Sequence, residues 1–261
     1  TDSMELQREG MIQAEVDDLL SSGAIRLARP GEPLLYQRLF LVDKKEGTKR
    51  PVLDCRSLNK HLDPPHFKLE GFSEVRSTLR RGDYLTKVDL KSAYLHIPMA
   101  ESATRYLAFQ GEGRDYVFES LPFGVSTAPW IFSKIMRTVV TELRMQGIRV
   151  VIYLDDLLIM GSSLAETETA TRRVLGFRVG WKKCVLTPTQ SITFLGLQID
   201  SIRMSISLPG DRRRALRATV EKAIQDRHSW WSARRIAHVV GKLVATRPAV
   251  RPTYLHLVHL N

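Results

Sequence analysis

Asp155 and Asp156 stand side by side between two apolar runs, Val150–Leu154 and Leu157–Met160. Apolar, acidic, apolar in so short a space reads as a β-hairpin with two carboxylates at its tip. An unpaired carboxylate in such a setting costs several kcal/mol, so something must compensate it. A divalent cation is the simplest compensation. The alternative is an Asp-Asp turn that only points at water, which turn chemistry also favours. Asp89 supplies a third carboxylate at the end of the strand read over Tyr84–Leu90. In one antiparallel sheet with the hairpin, Asp89 and Asp155 would converge on one spot. Two Mg²⁺ ions about 3.5–4 Å apart could be held there, as two-metal phosphoryl transfer requires. Mg²⁺ takes a few carboxylates plus substrate phosphates in preference to an all-protein cage.

The elements that would position these groups are legible from periodicity. Residues 11–23 read as a helix with Ile12, Val16, Leu19 and Leu20 on one face and Gly23 as its stop. Residues 38–44 and 50–54 read as two strands joined by a basic, Gly-containing turn. A helix is expected over 72–80, a helix or turn over 91–95, and a strand pair over 105–109 and 115–120. Pro129–Gln146 reads as a strong helix with Ile131, Ile135, Val139 and Leu143 at four-residue spacing. A helix over 165–175, a strand over 194–200 ending in a turn, and two helices over 211–227 and 232–245 complete the chain.

Composition narrows the class. The 261 residues are 43% hydrophobic and carry a net charge of +11, enough apolar matter for a core and a balance that suits a polyanion. From Asp211 to Asn261, eleven Lys/Arg face three Asp/Glu, a net +8 that fits phosphate-backbone binding or a solvated helical surface. Two distant cysteines, Cys55 and Cys184, argue against a disulfide framework or a Cys-based zinc site. No apolar run approaches the roughly 20 residues of a membrane span, and the N-terminus does not read as a signal peptide. An intracellular setting without membrane contact is expected.

Five motifs in order carry a resemblance. Tyr153-Leu154-Asp155-Asp156 resembles the YxDD motif of reverse transcriptases, and Val88-Asp89-Leu90-Lys91-Ser92-Ala93-Tyr94 their first palm motif. Leu121-Pro122-Phe123-Gly124 through Pro129 resembles their LPxG…SP motif. Arg50-Pro51-Val52-Leu53-Asp54-Cys55-Arg56-Ser57-Leu58-Asn59-Lys60 resembles the fingers motif RxVxDxRxLN, and Phe194-Leu195-Gly196 the primer-grip hairpin. His66–Glu70, Gln146–Arg149 and the Gly241–His256 stretch are similar to DIRS-type (tyrosine-recombinase) retrotransposons, with an LTR-retrotransposon or pararetroviral enzyme as runner-up.

The resemblance implies roles. Asp89, Asp155 and Asp156 would hold two Mg²⁺ (Mn²⁺ as a substitute), with the Leu90 carbonyl as a further ligand. Lys45 (or Lys44) and Arg50 would grip the triphosphate of a dNTP. Tyr94 would lie under the sugar and exclude a 2′-hydroxyl. Phe123 and Gly124 would line the nucleotide pocket, Phe123 standing where many viral relatives have Gln. Lys183, with Lys182 as the alternative, would protonate the leaving pyrophosphate. The histidines and Trp230-Trp231 read as surface or packing residues.

The implied fold is an α+β right-hand polymerase, with a palm built on an antiparallel sheet and a helical thumb. Its fingers would be 1–84 and 107–120, its palm 85–106 and 121–207, its thumb 208–261. No RNase H domain is expected in this stretch. Between Val174-Leu175 and Lys182 the family has a longer segment, and on the order of seven residues, two helical turns, read as missing near 175–176. The implied function is RNA-directed DNA synthesis on an RNA or DNA template. Template, primer duplex and dNTPs would be the partners, with RNase H or recombinase modules in a parent polyprotein. A non-enzymatic RNA-binding scaffold is a second reading, which has no use for three converging carboxylates. An RNA-dependent RNA polymerase is a third, against which Tyr94 and the YLDD tip argue.

Overall fold

The computed structural model describes residues 2–43, 49–175, 183–226 and 230–250, with side chains from residue 10 onward. In chain order the elements are α1 (Asp2–Ser21), β1 (Ile25–Leu27), β2 (Leu39–Asp43), β3 (Lys49–Leu53), α2 (Arg56–Asn59), α3 (Phe72–Thr78) and β4 (Tyr84–Asp89). A 3₁₀ turn (Ala93–His96), α4 (Glu101–Thr104), β5 (Ala108–Gly111), β6 (Arg114–Phe118), α5 (Ala128–Met145), β7 (Arg149–Tyr153) and β8 (Asp156–Gly161) follow. The chain continues with α6 (Leu164–Val174), β9 (Val185–Thr189), β10 (Ser191–Phe194), β11 (Leu197–Asp200), β12 (Ser205–Ser207), α7 (Gly210–Gln225) and α8 (Ala233–Val244). These group into two compact units, Thr1–Leu69 with Lys91–Val139 and Glu70–Leu90 with Val140–Asn261.

In the first unit, α1 buries Val16 and Leu19, two of the four residues of the expected apolar face. The three-stranded sheet β1-β6-β5 is antiparallel. Its core is aromatic: Phe109 stacks on Tyr116 at 5.4 Å and meets Phe118 at 5.6 Å. The strand pair sits at 108–111 and 114–118, offset from the expected 105–109 and 115–120. The Tyr106 and Leu107 amides instead donate back to Ala103 and Thr104 in a turn that closes α4, while the Leu107 carbonyl accepts from Phe118 N–H of β6 at 3.2 Å. Strands β2 and β3 form a ribbon paired from Leu39↔Leu53 to Asp43↔Lys49.

The second unit is built on the antiparallel sheet β7-β8-β4-β9. Side chains alternate across a strand. Thr86 therefore turns to α6, where its hydroxyl meets that of Thr171 at 2.6 Å. Leu85 turns the other way, into a core shared with Val75, Val151, Leu158, Phe194 and Ile199. Lys87 and Asp89 have the parity of Leu85, so they lie on that second face. At the start of β4, Asp83 is 2% exposed and bonded to Arg149 at 2.5 and 2.8 Å, which anchors this end of the strand against β7.

Three expectations are corrected. Residues 194–200 are not one strand: β10 ends at Phe194, Leu195 and Gly196 turn at φ 48° and 75°, and β11 begins at Leu197. Positive φ at both central residues suits a two-residue hairpin, and glycine takes it without steric cost. The buried face of α5 runs through Phe132, Met136 and Val140, one residue out of phase with the expected Ile131, Ile135 and Val139; Leu143 of the expected stripe is buried, and Ile135 is 45% exposed. Adjacent apolar pairs at 131/132, 135/136 and 139/140 give both phases the same period. Helices α7 and α8 bury no side chain, so the apolar stripes read there stay partly exposed. Among the described residues no helix is long and apolar enough to cross a membrane.

Candidate active site

Strands β4 and β8 pair so that Asp89 stands directly opposite Asp156. Directly opposed residues of an antiparallel pair share a face, and two carboxylates so placed repel. Asp155 occupies the two-residue turn with Leu154, whose φ of 53° is a left-handed conformation rarely adopted by leucine. The Leu90 amide donates to the Asp155 carbonyl at 2.8 Å, tying the end of β4 to the hairpin tip. The expectation joined Asp89 with Asp155; the register makes Asp156 the direct neighbour and brings the Asp155 backbone to Leu90.

Three carboxylates, Asp89, Asp155 and Asp156, face two described lysines, Lys87 and Lys183, so negative charge is in excess among the described residues. Burial pushes the Asp89 carboxyl up to about 6; Lys183 works against this shift, and the charges of Asp155 and Asp156 add to it. Asp156 is raised as well, again by burial first, with Lys87 opposing. The compensating cations stand at long range: Lys87 Nζ is 3.8 Å from Asp156 Oδ1, and Lys183 Nζ is 3.9 Å from Asp89 Oδ2. Asp156 Oδ1 is buried and accepts no hydrogen bond among the described residues. Each such oxygen has a desolvation cost that only a further partner offsets.

A divalent cation fits this donor set. Hard oxygen donors with excess negative charge and an orphaned buried oxygen are what such an ion takes up. Among the described residues no group of three His, Cys, Asp or Glu side chains is gathered closely enough to cage a metal. A Mg²⁺ ion that keeps waters and shares its shell with substrate phosphates needs only one or two protein carboxylates.

Cys184 was not expected from sequence to be part of this site. Its Sγ accepts the Asp89 amide at 3.3 Å and donates to the Asp89 carbonyl at 3.8 Å. Strand β9 pairs β4 only as far as Lys87↔Val185, so the thiol takes the place of the missing strand beside Asp89. A thiol pair replacing ladder hydrogen bonds leaves no local signature in the sequence.

The other expected residues cluster within the first unit. The Tyr94 ring lies 4.8 Å from that of Phe123 and 5.7 Å from that of Phe132. The Arg50 guanidinium sits 4.5 Å over the Phe123 ring in a cation–π contact. The Phe123 carbonyl accepts from Leu53 N–H at 2.8 Å. Gly124 has φ 120°, and a Cβ there would stand 1.8 Å from the Leu53 carbonyl oxygen, so only glycine fits. Arg50, Tyr94, Phe123 and Gly124 are thus brought together. Lys45 and Lys182 lie outside the described residues, as do residues 176–182, where the chain reads as shortened. Phe194 is fully buried in the sheet core, and the Gly196 carbonyl accepts from Arg212 Nη1 at 2.7 Å. Trp231 packs under Arg235 and donates to the Asp226 carbonyl, while Trp230 is fully exposed.

This mixed helix-and-sheet architecture has counterparts among solved structures. The foamy viral protease–reverse transcriptase in complex with double-stranded DNA matches with a TM-score of 0.74 over 97% of this chain and 44% of that one, at 20% identity. The same enzyme in complex with an RNA/DNA hybrid matches with a TM-score of 0.69 over 92% of this chain and 31% of that one, at 21% identity. The fold is that of right-hand nucleic-acid polymerases. Residues 42–199 match the family model described as reverse transcriptase (RNA-dependent DNA polymerase), and the chain belongs to that family. It is similar to the Transposon Tf2-3 and Tf2-7 polyproteins of Schizosaccharomyces pombe, at 31% and 30% identity in a 201-residue alignment that covers 73% of this chain. The chain spans 14% of the length of these relatives. The family generally uses divalent metal ions.

Proposed function

We propose that this chain catalyses RNA-directed DNA synthesis, extending a primer on an RNA or DNA template with dNTPs. The observation that carries the reading is the opposed Asp89/Asp156 pair, whose buried Asp156 Oδ1 accepts no hydrogen bond among the described residues, in a chain of the reverse transcriptase family. Asp89, Asp155 and Asp156 would hold two Mg²⁺ ions, with Mn²⁺ as a substitute and the Leu90 carbonyl as a further ligand. Bound there, the ions supply a lowered pKa at the primer 3′-hydroxyl and charge neutralisation on the triphosphate.

The chain's own groups do the rest. Arg50, with Lys45, binds the triphosphate of the incoming nucleotide. Tyr94 backs the sugar and leaves no room for a 2′-hydroxyl, while Phe123 and Gly124 form the wall of the nucleotide pocket. Lys183, already beside Asp89, holds a proton within reach of the leaving pyrophosphate. The Phe194-Leu195-Gly196 hairpin, pinned by Arg212, presents the primer end. The basic helices α7 and α8 hold the duplex through phosphate contacts. In this reading residues 1–84 and 107–120 act as fingers, 85–106 and 121–207 as palm, 208–261 as thumb.

The relatives are polyproteins, which supports a chain that works beside RNase H or recombinase modules. Within retroelements we favour the DIRS type on the His66–Glu70, Gln146–Arg149 and Gly241–His256 stretches. The LTR type is the competing assignment, supported by the likeness to the Tf2 transposons.

Primer extension on an RNA template with Mg²⁺, with dNTPs and rNTPs in parallel, tests the activity. Extension with dNTPs alone supports it. Salt-sensitive duplex binding without extension by either would replace it with the scaffold reading. Extension with rNTPs alone would make the chain an RNA polymerase.

A further inference from the structure

The run Arg50–Asn59 meets the loop 123–126 at more points than a nucleotide-gripping arginine needs. Asn59, the last residue of α2, uses both halves of its amide on that loop. Its Nδ2 donates to the Gly124 carbonyl at 2.9 Å, and its Oδ1 accepts from the Ser126 amide at 2.9 Å. The two partners fix the amide's orientation, since a carbonyl needs a donor and an N–H needs an acceptor. No other side chain of this length offers both. The Asn59 backbone is itself anchored, its N–H donating to the Cys55 carbonyl at 2.7 Å.

The same loop is held from two further directions. Leu53 N–H bonds the Phe123 carbonyl, and Arg50 covers the Phe123 ring. Residues 50, 53 and 59 therefore grip one loop at four points: the Phe123 ring, the Phe123 and Gly124 carbonyls, and the Ser126 amide. The close approach is tight enough that Gly124 tolerates no Cβ.

We propose that Asn59 is a positioning residue for nucleotide selection: it clamps the 123–126 loop and so holds the Arg50–Phe123–Tyr94 stack in its binding geometry. The inference rests on the polymerase reading and adds a residue that has no role in the steps above. Its effect falls on nucleotide binding, because Asn59 touches the loop and none of the carboxylates. Where Gln at position 123 would bond the nucleotide directly, Phe123 contributes shape alone, and shape depends on a loop that cannot shift.

Single-nucleotide incorporation by wild type, Asn59→Ala, Phe123→Ala and the double variant decides it. Asn59→Ala is expected to raise KM for dNTP about tenfold or more, with kcat changed less than about threefold, the size of effect that two lost part-buried hydrogen bonds produce. Duplex affinity is expected to be unchanged. The double variant is expected to be no worse than Phe123→Ala alone, since Asn59 acts through that loop. Should Asn59→Ala fail to fold, the isosteric Asn59→Asp, which keeps the acceptor for the Ser126 amide and loses the donor to the Gly124 carbonyl, is read the same way. Effects that multiply in the double variant, a loss confined to kcat, or a wild-type KM in an active enzyme would overturn the clamp alone. A wild-type chain inert with dNTPs would overturn the polymerase reading and the clamp with it.

Discussion

Asp89 is 8% exposed and faces a second carboxylate, so its charge weakens the metal-free fold. Its folded pKa, about 6, lies above the ordinary 3.8, so the folded state binds the proton more tightly than the unfolded one. Stability then falls as pH rises from about 4 to about 6 and stays low above that. The loss is on the order of 3 kcal/mol at about 1.4 kcal/mol per pH unit. Asp89→Asn is expected to raise the melting temperature in EDTA at pH 7, to lose that advantage near pH 4, and to abolish extension. Thermal melts across pH would refute the assignment if the variant were less stable at neutral pH. Asp155→Ala is expected to cut extension below about one part in a thousand while duplex binding stays nearly intact, several kcal/mol of transition-state stabilisation being lost. Residual extension above that level, in the same assay, would sink the carboxylate assignment. Tyr94→Ala is expected to admit rNTPs, read as the ratio of dNTP to rNTP incorporation; an unchanged ratio removes the gate.

At the scale of elements, the turns decide where side chains go. The 123–126 loop passes so near Leu53 that Gly124→Ala would force backbone apart, both by contact and by its φ of 120°. A drop of several degrees in melting temperature and loss of nucleotide binding are expected. Gly196 has a positive φ too, but a Cβ there would meet the guanidinium of Arg212, the far end of a flexible side chain. Gly196→Ala is therefore expected to be milder, by about 1–2 kcal/mol of turn strain. Equal destabilisation of the two variants by chemical denaturation would contradict this ranking. Both glycines sit in motifs visible in the sequence; which of them abuts backbone and which abuts a side chain is not visible there.

At the scale of the molecule, the charge of +11 is concentrated where the chain has least core. Helices α7 and α8 bury no side chain, and Arg213 and Arg214 are exposed on α7. Replacing both with alanine is expected to weaken duplex binding evenly across sequences. The slope of log affinity against log salt should fall by about 2, near 1 for each phosphate that no longer meets an arginine. Anisotropy titrations over a salt series measure it, and an unchanged slope would take this face of α7 out of the footprint. Two compact units, rather than one core, also divide the site residues: the carboxylates with Lys183 belong to one, the Arg50–Phe123–Tyr94 stack to the other.

Much that depends on neighbours a few residues apart was legible in the order of amino acids, although the Leu195-Gly196 turn inside the strand read over 194–200 was not. Alternation and turn residues located β4, the β7–β8 hairpin and its acidic tip, since these follow from local period and steric preference. The order of the motifs pointed to the family and to Asp89, Asp155 and Asp156. Whatever depends on the meeting of distant residues had to come from the folded chain. Folding set the register that opposes Asp89 to Asp156, and it chose the Phe132 phase of α5 over the Ile131 phase. It also joined Asn59 to a loop 65 positions away and Cys184 to Asp89 across 95. Period specifies which face of an element is apolar; it carries no information about which backbone arrives to meet that face.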